Sequence, residues 1–399
     1  MILLITLLIA TSIIILIFYL FKKNDSIGPN DSIRPNDSIR QLVKGSHHDI
    51  SKFTGKNISN KDFTYKLMSV IGSDFSPFSI SYALALLQLG ANGNTYNQIV
   101  QTIGKYDASD LRYFNNIFNS NTVKLTNSIT INNKNKILSS YLDTVKNLAL
   151  VSNENFNDSS YVANKLNKFI EKGTNGLISN VITENIINNN LFMIVINTIY
   201  FKSKWLNKFN KENTVTSKFN TDRNVEMMHR EINLQYYEDN VIQVIELLYE
   251  NTDYCMCVYL PKNTNVNNCF DYLMNNKINF MNTNVDVRLP KFKKRNKINL
   301  IAPLKNIGLT DIFEPNKSDL SYICQGITYI NNMIHEVVTI VNEEETEAAA
   351  ATAITVNSFS VKISNNIKFT ADHTFMYCIK HKPTNIILFV GLYEGINNA

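Results

Sequence analysis

The sequence predicts an α+β fold that is rich in β-strands, and three observations carry that prediction. Helical and strand patterns mix from about residue 47 onward, without the regular β-α-β alternation of a doubly wound parallel sheet. Residues 191–201 are mostly β-branched and aromatic, which is typical of a central strand buried on both faces. Residues 81–89 are almost entirely apolar or small and are followed by Gly90, as expected of a buried helix.

Further segments carry strand patterns of β-branched, aromatic and other apolar residues. In one of them the apolar residues alternate with polar ones from Val285 onward, so they lie on one face. Proline ends two of the segments, at Pro261 and Pro290, because it has no backbone N–H for a strand ladder. The segments are residues 241–248, 254–260, 285–289, 375–379 and 385–390.

Composition excludes several classes of protein. The 399 residues are 44% hydrophobic and 18% charged, so the chain has ample apolar surface for a core and is neither disordered nor collagen-like. Its length suits two or three average domains, yet one large mixed domain stays open. The formal net charge of +5 is spread along the chain, which argues against nucleic-acid binding. Five cysteines leave at least one thiol unpaired, so no disulfide framework carries the fold.

No motif of an enzyme or of a metal or cofactor site stands out. The chain lacks a G-x-S-x-G elbow, an H-E-x-x-H pair and a glycine loop for phosphate. Cys255 and Cys257 face the same side of a predicted strand, but no second Cys/His pair at a zinc spacing accompanies them. We therefore interpret them as core thiols, and we expect structural roles for His335 and His373.

Residues 1–21 form an uncharged apolar run that ends at Lys22 and Lys23 and is long enough to span a bilayer. A basic start and an obvious cleavage site are both missing, which favours an uncleaved anchor over a cleaved signal peptide. The positive-inside rule would place the body of the protein in the cytosol. Membrane contact through this segment is therefore a prediction.

Six N-x-S/T triplets argue instead for the secretory pathway, since they are acceptors for N-glycosylation. In a chain so rich in Asn, several such triplets arise by chance. We predict a secreted or membrane-anchored protein with an extracellular or lumenal body, and a cytosol-facing anchor stays the alternative. The six acceptors are Asn24, Asn30, Asn36, Asn57, Asn157 and Asn316.

Residues 22–46 form a linker between this segment and the body. The unit Asn-Asp-Ser-Ile recurs there three times at a period of six, with Pro29 and Pro35 between the copies. Each unit offers one Ile and proline blocks helix continuation, so the stretch cannot build a core. An extended spacer and a recent duplication without function both fit it.

Residues 343–364 carry the most specific signal. An acidic start is followed by four alanines and then by β-branched residues, a pattern that loses the apolar stripe of a helix. At a period of two the segment separates into an uncharged face and a face that holds Glu347. A segment of this kind could occupy a slot within a sheet. The uncharged face is Thr346, Ala348, Ala350, Thr352, Ile354 and Val356.

Together with these residues, ordered motifs over nearly the whole body, from about residue 47 to residue 395, resemble the serpin family. The interval between Gln98 and Val123 leaves little room for the family's fourth helix, so the chain resembles poxvirus serpins most. The motifs are Ser76-Pro77 with Ser79-Ile80, LGANGNT at 89–95, TNGLI at 174–178, NTIYFK at 197–202 with Trp205, LPKF at 289–292, residues 369–379, and LFVG at 388–391.

The resemblance implies a single domain, residues 47–399, with three β-sheets, about eight or nine helices and an exposed reactive-centre loop at about 343–364. It implies no enzyme activity and no cofactor, and it fits a monomer. A target serine protease cleaves the loop and forms an acyl-enzyme, whose loop then enters the central sheet. The sites implied as the hinge are Glu343, Glu344, Glu345, Thr346, Glu347, Ala348, Ala349, Ala350 and Ala351.

Counting seventeen residues from Glu343, as the family does, places the scissile bond between Phe359 and Ser360. A large aromatic residue there suits a chymotrypsin-like or cathepsin G-like target. No Lys or Arg occurs between residues 348 and 361, which disfavours trypsin-like targets. A shift of one residue would make Ser358 or Ser360 the bait, with an elastase-like preference.

Other positions match structural residues of the family. Ser76, Ser79, Asn197 and His335 match a polar cluster under the central sheet, which we call the shutter. Trp205 and Lys291 match the region at the top of that sheet, which we call the breach, and there Lys291 is expected to pair with Glu343.

One departure leaves an alternative open. Glu345 stands where inhibitory serpins usually have Gly, although we expect it to face outward with Glu347. A non-inhibitory serpin, acting as a decoy substrate or a surface binding protein, is therefore the alternative function.

Overall fold

The computed structural model describes residues 61–72, 74–274, 278–344 and 367–397. The chain divides into two compact units, residues 1–55 and 56–399, and all described residues belong to the second. The predicted anchor and the linker therefore lie outside the described residues. Within the described ranges, no helix is both long and apolar enough to cross a membrane.

Eight α-helices lie in the described part of the chain, in agreement with the expected eight or nine. None is longer than the fifteen residues of the sixth helix. They are α1 (Lys61–Ile71), α2 (Pro77–Gln88), α3 (Gly93–Ile103), α4 (Ala108–Phe118), α5 (Ser139–Val145), α6 (Ser159–Gly173), α7 (Asn267–Met274) and α8 (Ile301–Asn306).

Helix α2 confirms the buried helix predicted around residues 81–89 and begins earlier than its apolar run. Ser76 is the N-cap, and its side chain accepts a hydrogen bond from the backbone N–H of Ser79. Pro77 occupies the first turn, where a missing N–H costs nothing. Every residue of α2 is buried, so the helix runs through the core.

The expectation of little room for a fourth helix was wrong, because α4 fills that interval. Asp107 is the N-cap of α4 and forms a reciprocal capping box with Asp110. The helix therefore begins at Ala108, only four residues after Gly104. The helix ends at Phe118, and Asn119 follows as its C-cap. Eleven residues are therefore enough for three turns between α3 and the next strand.

Thirteen strands lie in the described residues and include every segment predicted as a strand. Pro261 is the last residue of its strand, opposite Ile242, instead of the residue that stops it. The strands are β1 (Val123–Asn132), β2 (Leu150–Glu154), β3 (Met193–Phe201), β4 (Val215–Phe219), β5 (Arg223–Glu238), β6 (Ile242–Leu248), β7 (Tyr254–Pro261), β8 (Met281–Pro290), β9 (Phe292–Asn299), β10 (Asn332–Val341), β11 (Ile367–Thr370), β12 (Phe375–His381) and β13 (Ile386–Tyr393).

Five strands form the first sheet, in the order β2-β1-β3-β10-β9. Strand β3 lies at its centre and is buried along its whole length, as predicted for residues 191–201. It pairs antiparallel with β1 but parallel with β10. The centre of this sheet is therefore a parallel pair flanked by antiparallel strands.

The remaining eight strands form one hydrogen-bonded sheet, in the order β11-β8-β5-β6-β7-β12-β13, with β4 also on β5. The resemblance implied three sheets, and the long strand β5 explains the difference. The start of β5 pairs with β4, its last residues pair with β6, and β8 pairs with the part between. Strand β5, which is sixteen residues long, thus joins two of the expected sheets into one.

The first sheet is covered on both faces. Alternate residues of β3 and β10, among them Ile194 and Ile334, pack in an apolar cluster with Leu166 and Ile170 of α6. On the opposite face, Asn197 of β3 contacts Ser79 of α2. Because neighbouring strand residues point to opposite faces, the two helices bury both sides of the β3–β10 pair.

All five cysteines are free and buried, in agreement with their prediction as core thiols. This finding leaves the fold without a disulfide in the described residues.

Gly391 of β13 offers a test of the packing around α2 and β12. A Cβ atom there would lie 2.0 Å from Oδ1 of Asp74 and 2.7 Å from Oη of Tyr377. These two side chains are buried and hydrogen-bonded to each other, so neither can move easily. We expect Gly391→Ala to lower the free energy of unfolding by about 3 kcal/mol, measured by urea denaturation.

Gly72→Ala is the control, because its Cβ would meet no atom within 4 Å and only its φ of +67° opposes a side chain. It should cost about 1 kcal/mol. Equal losses in the two variants would contradict the packing argument.

Candidate functional site

The central strands β3 and β10 pair over only part of their lengths. Their parallel register runs from Asn332 opposite Ile194 to Val337 opposite Ile199. Beyond it, residues 338–341 of β10 pair only with β9, and the end of β3 pairs only with β1. The two strands therefore part at the end of the sheet from which the chain leaves β10 toward Glu343.

Below this parting, four predicted polar residues meet in one buried network. Oδ1 of Asn197 accepts hydrogen bonds from Oγ of Ser79 at 2.8 Å and from Nδ1 of His335 at 2.7 Å. The backbone N–H of Ser76 donates to Nε2 of His335 at 3.0 Å. All four residues have 0% exposure. The structure thus brings together Ser76, Ser79, Asn197 and His335, the predicted shutter.

His335 is held in one protonation state by this network. Its Nε2 accepts from Ser76, so the ring proton lies on Nδ1 and points to Asn197. Burial lowers the pKa of His335 to about 3, because a charged ring would lose its hydration in the core. The imidazole is neutral at physiological pH.

Asn127 of β1 extends the network and was missed by sequence reasoning. Nδ2 of Asn197 donates to Oδ1 of Asn127 at 2.7 Å. Asn127 is the direct partner of Asn197 in the β1–β3 ladder. Asn197 is in turn the direct partner of His335 in the β3–β10 ladder, so the network spans three strands. A polar residue in the middle of a buried strand was the signal available in the sequence.

At the parting of the strands, backbone atoms that follow β10 accept three hydrogen bonds. The indole Nε1–H of Trp205 donates to the carbonyl of Asn342 at 2.8 Å. The backbone N–H of Trp205 donates to the carbonyl of Glu344 at 3.2 Å, and that of Phe209 donates to Glu343 at 2.9 Å. Trp205 therefore holds the start of the hinge from both its backbone and its ring.

Charged side chains also hold the start of the hinge, at Glu343 and Glu344. Nζ of Lys291 lies 3.5 Å from the carboxylate of Glu343, which also accepts a hydrogen bond from Oγ of Thr214 at 2.9 Å. Nζ of Lys211 lies 2.8 Å from the Glu344 carboxylate, and the hydrogen bond from Lys211 lowers the pKa of Glu344. The expected pair of Lys291 with Glu343 is present. Thr214 and Lys211 carried no signal in the sequence, because they are far from the hinge along the chain.

A sequence profile described as Serpin (serine protease inhibitor) matches residues 59–394 of this chain. The chain belongs to the serpin family. The parallel central pair, the buried polar network and the anchored start of the loop are therefore parts of a serpin, and the assignment agrees with a protease inhibitor instead of an enzyme.

Relatives and solved structures support the assignment. An "uncharacterized serpin-like protein" of Acanthamoeba polyphaga mimivirus is 37% identical over 358 residues, covering 84% of this chain and 89% of that one. The leukocyte elastase inhibitor of Xenopus tropicalis is 31% identical over 351 residues, covering 80% and 92%. The crystal structure of the thermophilic serpin tengpin in its native state has a TM-score of 0.76 at 26% identity, covering 86% of this serpin and 94% of tengpin.

Several predicted site residues lie outside the described residues. They are the hinge from Glu345 to Ala351, the bond between Phe359 and Ser360, and the acceptors Asn24, Asn30, Asn36 and Asn57. The two remaining acceptors, Asn157 and Asn316, are exposed and lie in turns.

The buried histidines give this serpin a predicted dependence on pH. His335 and His381 are neutral in the fold, with pKa values lowered by burial to about 3 and about 4, whereas in the unfolded chain a histidine titrates near 6.5. Their stabilising contribution is complete above pH 6.5 and is lost as the pH falls toward those values. Each should cost about 1.4 kcal/mol per pH unit below 6.5.

Urea denaturation between pH 7.5 and pH 5 measures this effect. His335→Gln removes one group that binds a proton only when the chain unfolds, so the slope of stability against pH should fall by about one proton. His381→Gln should lower the slope similarly. An unchanged slope in both variants would contradict the neutral, buried state of these rings.

Proposed function

We propose that this serpin inhibits serine proteases as a suicide substrate, trapping a chymotrypsin-like enzyme after cleavage of its reactive-centre loop at Phe359. One observation carries the proposal: the central strands part where the loop begins. The loop starts at the end of β10, beside the segment where neither β10 nor β3 has a strand on its inner side.

The direction of the strands favours an incoming segment. A chain that turns back after β10 runs antiparallel to β10, and it also runs antiparallel to β3 because those two strands are parallel. Antiparallel ladders are slightly more stable per residue than parallel ones. Insertion would therefore replace one parallel ladder with two antiparallel ladders.

The composition of the loop suits the space it would enter. Helix α6 covers one face of the central pair and α2 the other, so an inserted strand is buried on both sides. Residues 348–356 contain only alanine and uncharged β-branched residues, and the acidic residues up to Glu347 come before them. Such a strand can enter the sheet without burying an unpaired charge.

The shutter is the contact that must open. His335 and Asn197 are direct partners on the two strands that would separate, and their side chains are joined by the 2.7 Å hydrogen bond. Insertion breaks this bond, while Asn197 keeps its bonds to Ser79 on α2 and Asn127 on β1. The network therefore holds β3 and β10 together before cleavage, and it breaks at the bond between His335 and Asn197 when the two strands separate.

The energy released would be large enough to trap an enzyme. Two new ladders along residues 346–356, less the short parallel ladder, add about ten hydrogen bonds at ~1 kcal/mol net each, or about 10 kcal/mol. Fourteen residues from Thr346 to Phe359 span about 45 Å at ~3.3 Å each, so the attached protease is carried across the molecule. Loss of one oxyanion-hole donor slows acyl transfer by ~10² to 10³, which is enough to stall deacylation.

Phe359 supports a chymotrypsin-like or cathepsin G-like target, because its large ring fits a hydrophobic specificity pocket. The elastase-like alternative, with Ser358 or Ser360 as the bait, gains support from the Xenopus relative named as a leukocyte elastase inhibitor. A secreted or anchored location outside the cytosol belongs to the proposal, and the exposed acceptors Asn157 and Asn316 support it. A cytosol-facing anchor through residues 1–21 stays the alternative. The likeness to poxvirus serpins stays a prediction.

A denaturing gel after mixing with chymotrypsin or cathepsin G tests the proposal. We expect a covalent band that contains both proteins, with protease activity lost in proportion. Phe359→Arg should move complex formation from chymotrypsin to trypsin, because the bait then fits the acidic pocket of trypsin.

Ser358→Ala is the matched control and should leave the preference for chymotrypsin in place. Unchanged target choice in Phe359→Arg refutes the bait assignment. Clean cleavage after Phe359 with full protease activity left would show a decoy substrate instead of an inhibitor.

Ala350→Arg separates cleavage from trapping. It places a charge in the segment that enters the sheet, and an unpaired buried charge costs several kcal/mol. We expect the ratio of cleaved inhibitor to covalent complex to rise at least about tenfold, since 1.4 kcal/mol already gives that factor. Ser364→Arg, on the other side of the bond, is the control and should still form the complex.

The same pair of variants should differ in their melting temperatures after cleavage. Cleaved wild type and Ser364→Arg should melt about 14 °C above the intact protein, because about 10 kcal/mol of added stability is divided by an unfolding entropy of about 0.7 kcal/mol/K for a domain of this size. Cleaved Ala350→Arg should show little gain. A wild-type protein that gains nothing on cleavage would rule out insertion.

A further inference from the structure

Three thiols and a carboxylate meet in the second sheet, away from the hinge and the shutter. Cys257 of β7 lies between Glu246 of β6 and Cys378 of β12, its direct partners on the two neighbouring strands. Cys255 lies two residues earlier on β7 and therefore on the same face. All three cysteines are completely buried, and Glu246 is 7% exposed. More than 130 residues separate Glu246 from Cys378 in the sequence, so no short sequence motif predicts this cluster.

The ligand atoms of this cluster are already close. Sγ of Cys255, Sγ of Cys257 and a carboxylate oxygen of Glu246 all lie within 4.8 Å of one another. A tetrahedral zinc ion with bonds of about 2.0 to 2.3 Å needs such atoms roughly 3.5 to 4 Å apart.

The neighbouring strand supplies two further polar side chains. Cys378 and Lys380 of β12 are the direct partners of Cys257 and Cys255, so they lie on the same face of the sheet as the proposed ligands.

We propose that Glu246, Cys255 and Cys257 form a binding site for a divalent cation of the zinc class. The number and type of ligands suit zinc, which accepts thiolate and carboxylate donors and uses three protein ligands where a fourth position stays open. Cys378 supports the site as a hydrogen-bond donor to Cys257. Softer thiolate ligands disfavour Mg²⁺ and Ca²⁺, which prefer oxygen.

Charge balance supports this choice. Two thiolates and a carboxylate carry three negative charges: one divalent cation offsets the two thiolates, and the Lys382 ammonium offsets the Glu246 carboxylate. Lys382 pairs with Glu246, and its side chain is 38% exposed. The carboxylate thus marks the side of the cluster nearest the solvent, from which an ion would reach the thiols.

The site is connected to the breach through one side chain. Tyr249 follows β6, and its backbone N–H donates to the carbonyl of Tyr254, the residue before Cys255, at 3.2 Å. The ring of Tyr249 stacks on Trp205, with centroids 4.6 Å apart and planes 11° from parallel. Trp205 holds the carbonyl of Asn342 at the start of the hinge. Tyr249 and Trp205 therefore connect the proposed metal site to the start of the hinge.

Metal binding can be measured on the full chain, purified in detergent, reduced, and freed of metal. Cobalt(II) is the first probe, because thiolate ligands in a tetrahedral site give it visible and near-ultraviolet absorption bands. Zinc is the second, added while the fluorescence of Trp205 is followed, since the chain has a single tryptophan. We expect one ion per chain, thiolate-to-cobalt bands that zinc abolishes, and a change in Trp205 fluorescence.

Cys257→Ser should weaken binding by about 100-fold or more and remove both signals, because the central ligand is lost. Cys324→Ser is the matched control, since Cys324 is also free and buried but lies outside the cluster. Zinc should also raise the melting temperature of the wild type and of Cys324→Ser, but not of Cys257→Ser, provided that circular dichroism shows all three folded.

Three results would overturn the proposal. They are no binding of either ion by the reduced wild type, equal binding by Cys257→Ser and Cys324→Ser, and cobalt bands that lack the thiolate charge-transfer component. Failure of the metal test would leave the protease experiments unaffected, because trapping depends on the hinge and the central sheet.

Discussion

The parallel strands β3 and β10 lie side by side at the centre of the five-stranded sheet, and the rest of the site depends on how they are held. A short ladder helps to join them, Asn331 bonds to the start of β3, and a buried side-chain hydrogen bond runs from His335 to Asn197. Above that bond the strands part, and the chain leaves β10 at the opening. We call this contact between β3 and β10 the seam. Because a few polar contacts keep it closed, a segment with the right composition can compete for the space between the two strands.

The seam needs both of its covers. Helix α2 brings Ser76 and Ser79 to one face through a capped first turn, and α6 closes the other face with an apolar cluster. A neutral His335 is a consequence of this double burial, because a charged ring would have to be stabilised without water. The same burial would require a segment that enters between these strands, as proposed, to be small and uncharged.

The start of the hinge is held from a different sheet. Trp205 follows β3, donates to the chain after β10, and stacks on Tyr249 beside the thiols of β7 and β12. Lys291, which joins β8 to β9, adds its charge to Glu343. Contacts from both sheets therefore converge on residues 342–344, at the start of the loop.

The sequence by itself determined the buried helix α2, the central strand β3 and membership of the serpin family, because apolar runs, proline and capping residues act locally and the motifs keep their order. It also contained the alternating small residues of the loop. Only the tertiary structure decided that α4 fits before β1, that β5 joins two expected sheets, and which polar side chains meet. Asn127, Thr214 and Cys378 reach their partners across many residues of chain, and such contacts follow from strand register, which no local pattern specifies.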